Sequence, residues 1–120
     1  MGVSLALYRR ELLKGSTETL LLSLLAAEPM YGYQLVKEMV RRSSGYFRFK
    51  EGTLYPALHR LEKAKLIEGR WEDTPNNVRR RYYLITAKGQ QALADRLTEW
   101  QRFCNAMNLI MLPGAQPEPE

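Results

Sequence analysis

Tyr55, His59 and Lys63 follow one another at intervals of four residues, and further along Arg79, Arg80 and Arg81 stand side by side. Phenol, imidazole, ammonium and guanidinium groups all donate hydrogen bonds, and the last two keep their positive charge at neutral pH. Spaced by four on a helix, the first three side chains line up along one side. A run of arginines presents planar forks that match phosphate oxygens. Such a set grips and reads an anion rather than breaking a bond. No nucleophile–base pair, phosphate-cradling glycine loop or carboxylate dyad accompanies it, so no enzymatic activity is expected. His59 is the single histidine and Cys104 the single cysteine, which leaves neither a metal site nor an intrachain disulfide to expect, and no cofactor.

The distribution of charge points the same way. The net charge of +5 hides a stronger contrast: from Lys37 to Lys88 there are 13 Lys and Arg against 6 Asp and Glu, a surplus of +7. The remaining residues carry 5 basic and 7 acidic side chains, or −2. A basic middle is the footprint of a polyanion partner. At 120 residues, 45% hydrophobic and 26% charged, the chain suits one ordinary globular domain rather than a disordered segment. Its longest strongly apolar run, Leu20 to Ala27, is far short of the roughly 20 residues of a membrane span, so no membrane partner is expected. No export signal is expected either, and with one cysteine a cytoplasmic setting fits best.

Helices and a hairpin must position these residues. Leu5 to Leu13 reads as a short amphipathic helix ending at Gly15. Ser16 or Thr17 caps a second helix, whose leucines 20, 21, 22, 24 and 25 make it apolar on nearly every side until Glu28-Pro29 stops it. In "YGYQLVKEMVRRSSG", Tyr31, Leu35, Val36, Met39 and Val40 recur at helical spacing and Gly45 ends the run. The next helix, in "EGTLYPALHRLEKAKL", takes Thr53 as its N-cap, which puts Pro56 in the first turn. Leu54, Ala57, Leu58, Leu61 and Ala64 then face inward, while Tyr55, Pro56, His59, Arg60 and Lys63 face out.

Ile67 to Glu72 and Arg80 to Thr86, separated by "DTPNN", read as a two-stranded hairpin with the arginines at its tip and along its returning strand. Thr86 caps the last helix. Leu93, Leu97, Trp100, Cys104, Met107 and Met111 alternate there at intervals of four and three, widened by Phe103 and Ile110. This is a heptad seam, and a second copy of the chain is its simplest partner. The fold class is therefore mainly α with a small β-hairpin: a winged helix-turn-helix over residues 1–86, a dimerisation helix over 87–112 and a disordered tail over 113–120.

The segments "KGSTETLLLSLLAAEPMYGYQLVKEM", "GTLYPALHRLEKAKLIEG" and "RRRYYLITAKGQQAL" together resemble the PadR family of transcriptional regulators, in its short form with one C-terminal helix. The resemblance covers about Leu13 to Leu93. "YGY" and "GTLYPAL" carry most of it, and the wing tip "DTPNNV" departs from it in having neither Gly nor Lys. It implies a homodimeric repressor on an inverted-repeat operator in double-stranded DNA, released by a small aromatic effector at the dimer interface. Carried over, it places Tyr33, Thr53, Tyr55, Pro56, His59 and Arg79 to Arg81 at the DNA, where Lys50 and Lys63 are further expected contacts. Trp100 falls at the effector site, with Phe103 and Met107 as further candidates there.

Blander readings stand beside several of these. His59 either meets phosphate or is merely solvated; Trp100 either stacks on a ligand or packs; Cys104 is most simply a small buried hydrophobe. A winged helix can also serve as a protein-interaction module without an operator of its own, or as a carrier of aromatic compounds.

Overall fold

The computed structural model describes residues 4–115. Its elements are α1 (Leu5–Leu13), α2 (Thr17–Ala27), β1 (Met30–Tyr31), α3 (Gly32–Arg42), α4 (Glu51–Lys63), β2 (Ile67–Asp73), β3 (Arg79–Ile85) and α5 (Ala87–Met111). Pro113–Ala115 close the described chain as a 3₁₀ turn; the rest of the expected tail lies outside the described residues.

The core is leucine-rich and fed by α2, α3 and α4, each in its own period. Leu21, Leu22 and Leu25 of α2, Leu35 and Met39 of α3, and Leu54, Leu58 and Leu61 of α4 are all buried, joined by Ile67 and Tyr83 from the sheet. In α2 no side chain is exposed before Ala26, as its near-continuous leucines require. On α4 the inward and outward sets separate as the 100° spacing dictates, except that Ala64 is exposed at the C-cap. There the chain turns through Lys65, at φ 64°, into β2.

Two details of α4 differ from the sequence expectation. The helix begins at Glu51 with Lys50 as N-cap, because the N–H groups of Thr53 and Leu54 both donate to the Lys50 carbonyl, at 2.9 and 3.0 Å. Thr53 is therefore inside the first turn, not its cap. Pro56 becomes the sixth helical residue, in the second turn. The carbonyl its missing N–H would have bonded belongs to Gly52, an exposed residue, so the lost bond costs less than it would in the core.

The hairpin is the core of a three-stranded antiparallel sheet in the order β1-β3-β2. Two residues, Met30 and Tyr31, pair with Tyr83 and Tyr82. A strand this short shows no period in sequence. Beyond Tyr82 the sheet continues as a two-stranded ribbon through the pairs Trp71–Arg81, Glu72–Arg80 and Asp73–Arg79. The tip is closed by Thr74, whose amide and hydroxyl both donate to the Val78 carbonyl, with Asn77 in the left-handed region at φ 59°.

Thr86 caps α5 as expected, its hydroxyl oxygen accepting from the Gly89 amide at 3.0 Å and donating to the Lys65 carbonyl at 2.8 Å. Gly89 lies so close to the residue just before β2 that an added Cβ would collide with the Leu66 carbonyl oxygen. From there α5 runs off the domain, about 37 Å long at 1.5 Å per residue. Only Gly89 and Leu93 of its 25 residues are buried.

A candidate nucleic-acid interface between the third helix of the core and the wing

Tyr55, His59, Glu62 and Lys63 of α4 face Arg81 and Tyr83 of β3 across an open cleft of about 740 Å³. The helix supplies its residues because they lie on the side opposite Leu54, Leu58 and Leu61. The strand supplies its own because alternation puts Arg79, Arg81 and Tyr83 on one face. Arg80 and Tyr82 point to the other face, where the Arg80 guanidinium lies 4.4 Å from the ring centroid of Tyr31, and Tyr31 meets Tyr82 edge-on at 5.4 Å. The arginine triplet is thus divided between two surfaces.

Arg81 is the most constrained of the three. Its Nη2 donates to Glu62 Oε2 at 2.6 Å, and its guanidinium lies 5.5 Å from the Trp71 ring and 5.9 Å from that of Tyr83. The hydrogen bond to Glu62 raises the Arg81 pKa above the ordinary arginine value. Burial, with the Glu62 charge adding to it, pushes the Tyr83 phenol up as well, so both groups keep their protons. Arg79 is looser, 3.6 Å from Asp73 and mostly exposed.

Tyr55 leans from α4 onto the start of α3. Its ring covers Gly32 so closely that a Cβ there would lie 2.5 Å from Oη and 3.0 Å from Cζ. The glycine of "YGY" is thus the space that the tyrosine of "LYP" occupies in this chain. Tyr33 is 61% exposed on the outer side of α3, with the Lys37 ammonium 5.4 Å from its ring centroid. It lines a second groove with Gln34, Lys37 and Arg41 rather than the cleft. Lys50, Thr53 and Pro56 are exposed along the first two turns of α4.

The seam residues of α5 also separate. Leu93 is 8% exposed and spent on the subunit's own core, so it is not open to a partner. Leu97, Trp100, Phe103, Ile110 and Met111 are exposed, with Cys104 and Met107 half-buried. Trp100 and Phe103 stack at 5.8 Å with an interplanar angle of 9°. Helix α1 buries nothing and shows Leu5, Leu7, Tyr8 and Leu12 to the outside.

A family model of PadR-like transcriptional regulators matches residues 21–95, spanning every element of the core and both sides of the cleft. The chain belongs to the PadR-like family. That family consists of transcriptional regulators, not enzymes. Among solved structures, a transcriptional regulator from Clostridium thermocellum is 31% identical, with a TM-score of 0.79 over 84% of this chain and 98% of that one. A PadR family regulator from Eggerthella lenta is 30% identical, also at 0.79, over 90% of this chain and 92% of that one. An uncharacterized protein of Lysinibacillus sphaericus is 32% identical over 86% of this chain and 94% of its own length. Bacillus subtilis PadR, solved in complex with operator DNA, shares the winged-helix fold at 24% identity and a TM-score of 0.61, over 67% of this chain and 45% of that one.

In this PadR-like chain the structure gathers Tyr55, His59, Lys63 and Arg81 at one cleft and places Tyr33 and Arg80 elsewhere. Glu62, Trp71, Tyr83 and Gly32 escaped the sequence reading. Strand alternation could have exposed Trp71 and Tyr83 as neighbours of Arg81; nothing local marks Glu62 or Gly32.

Proposed function

We propose that this PadR-like regulator is a sequence-specific DNA-binding homodimer that represses transcription until a small aromatic ligand releases it. One observation carries the DNA reading: the outward stripe of α4 and one face of the wing frame a single cleft lined by Tyr55, His59, Lys63 and Arg81. A helix that fits the major groove, beside a ribbon that reaches the adjoining backbone, is the docking geometry of a winged helix. Thr53 rides on the first turn of α4 and Pro56 on the second, both exposed near the helix end whose dipole favours phosphate. Arg79 and Arg80, both exposed, suit phosphate contact. The same fold on operator DNA in B. subtilis PadR supports the reading.

The homodimer rests on apolar surface left open by one subunit: Leu97, Trp100, Phe103 and Met111 on α5, and Leu5, Tyr8 and Leu12 on α1. Surfaces of this kind are seldom left to water. A two-fold axis through α5 would set paired α4 helices about 34–36 Å apart, on an inverted repeat. The parallel Trp100–Phe103 pair offers a flat aromatic effector a stacking surface at that interface. A cytoplasmic setting follows from the work at the chromosome.

The test is fluorescence anisotropy with a promoter fragment, recovered by capture of bound genomic DNA, against a scrambled duplex at two salt concentrations. The expected result is tighter binding to the promoter and a steep fall with salt, about 0.9 in log–log slope per phosphate neutralised. Equal affinity for both duplexes ends the specificity claim. The absence of any complex at low salt ends the DNA reading in favour of a protein-interaction module. Ligand action is read by tryptophan quenching with aromatic compounds and loss of the anisotropy signal.

A further inference from the structure

The sheet thins at one point. Strand β1 pairs with β3 at Tyr82 and Tyr83, so from the Trp71–Arg81 pair outward the wing is two strands with no third strand beside them among the described residues. Two-stranded ribbons twist freely and are marginal on their own. Arg81 sits at the first unsupported pair. It is also the residue of β3 that an ion pair ties to α4, through Glu62.

The path of its side chain is built. Gly69 lies next along β2 on the same face, and a Cβ there would fall 2.6 Å from the Arg81 Cζ, Nε and Nη2 atoms. The guanidinium therefore lies flat over the bare Cα of Gly69, flanked by Trp71 on one side and Tyr83 on the other, with Glu62 at its end. Any side chain at position 69 would close that path. Hydrogen-bonded at 2.6 Å, the pair is shorter and less exposed than the Arg79–Asp73 contact at 3.6 Å, and so less screened by solvent.

We propose that Arg81 is a positioning residue: with Glu62 and Gly69 it latches the wing to α4 at the point where the sheet loses its third strand, and it does not contact phosphate. The latch fixes the angle at which wing and helix meet a duplex. It rests on the DNA reading above and adds to it. Of the three arginines Arg81 is held by the shortest ion pair within the fold, so the wing's grip on phosphate falls to the more exposed Arg79 and Arg80.

Simple electrostatics and the latch predict opposite signs for Glu62→Gln. Removing a carboxylate beside DNA should tighten binding if Arg81 were a screened phosphate contact. Loosening a latch should weaken it. We expect Glu62→Gln and Arg81→Ala each to weaken promoter binding by about tenfold, a typical coupling between contacting residues, and the double variant to be no weaker than either. Arg81→Ala keeps the wild-type salt slope, whereas loss of a phosphate contact would make it shallower by about 0.9.

Gly69→Ala gives a charge-conserving check. It should weaken binding as Arg81→Ala does while leaving net charge and salt slope intact. Circular dichroism confirms that each variant is folded. If Glu62→Gln tightens binding, or Gly69→Ala leaves it unchanged, the latch is overturned while the DNA reading stands. If the wild-type protein binds no duplex, the DNA reading falls and the latch with it.

Discussion

Replacing Gly32 by Ala should separate stability from DNA binding. The added methyl would sit 2.5 Å from Tyr55 Oη, whereas ordinary contact begins near 3.4 Å, so the phenol must retreat by about 0.9 Å. Oη is the far end of a side chain that is 45% exposed, so it can swing outward without moving a helix. Gly32 is the first residue of α3 and its φ is not positive, so Ala fits the backbone. Alanine in fact favours helix over glycine by up to about 1 kcal/mol. Folding stability should therefore change by less than about 1 kcal/mol in either direction.

Binding should not be spared. Hydrogen bonds tolerate a spread of about 0.5 Å, so a 0.9 Å displacement takes the phenol out of any contact it makes with DNA. The loss should approach that of Tyr55→Ala, about 1–3 kcal/mol or roughly five- to 150-fold. Anisotropy titrations on the promoter fragment, with thermal unfolding in parallel, measure both quantities. Gly32→Ala and Tyr55→Ala should not add, because they remove the same contact. Wild-type affinity in Gly32→Ala, or full additivity with Tyr55→Ala, would refute the placement of Tyr55 as a reading residue.

Thr86→Ala removes the oxygen that accepts from Gly89 and donates to Lys65, and should lower stability by about 1–2 kcal/mol in urea titrations with no loss of secondary structure. Trp100→Glu should leave the single subunit folded, since Trp100 is 52% exposed there, yet shift sedimentation at micromolar concentration from dimer to monomer. Tyr83 has a raised pKa in the fold, so its stabilising share is whole below the unfolded tyrosine value and is lost as pH climbs through the folded one. Tyr83→Phe should accordingly lose less stability than wild type between about pH 9 and 11, measured by denaturant midpoints.

Some of this molecule is written locally. The 3.6-residue period of Leu54, Leu58 and Leu61 sends Tyr55, His59 and Lys63 to the opposite side whatever the rest of the chain does, and those three residues do share one cleft. The turn residues "DTPNN" and the β-rich flanks place the hairpin, and Thr86 with its following period places α5. Each of these depends on neighbours a few positions apart, so the sequence alone determines them.

Other features exist only because distant segments meet. Met30 and Tyr31 become a strand when β3, some fifty residues on, offers an edge. Glu62 becomes an anchor only when Arg81 crosses Gly69 to reach it, and Gly32 matters only once Tyr55 lies above it. Leu93 sits in an unbroken heptad seam, yet the subunit core claims it and leaves Leu97 onward open. Periodicity reports which way a side chain points; what stands in its way is set by tertiary packing.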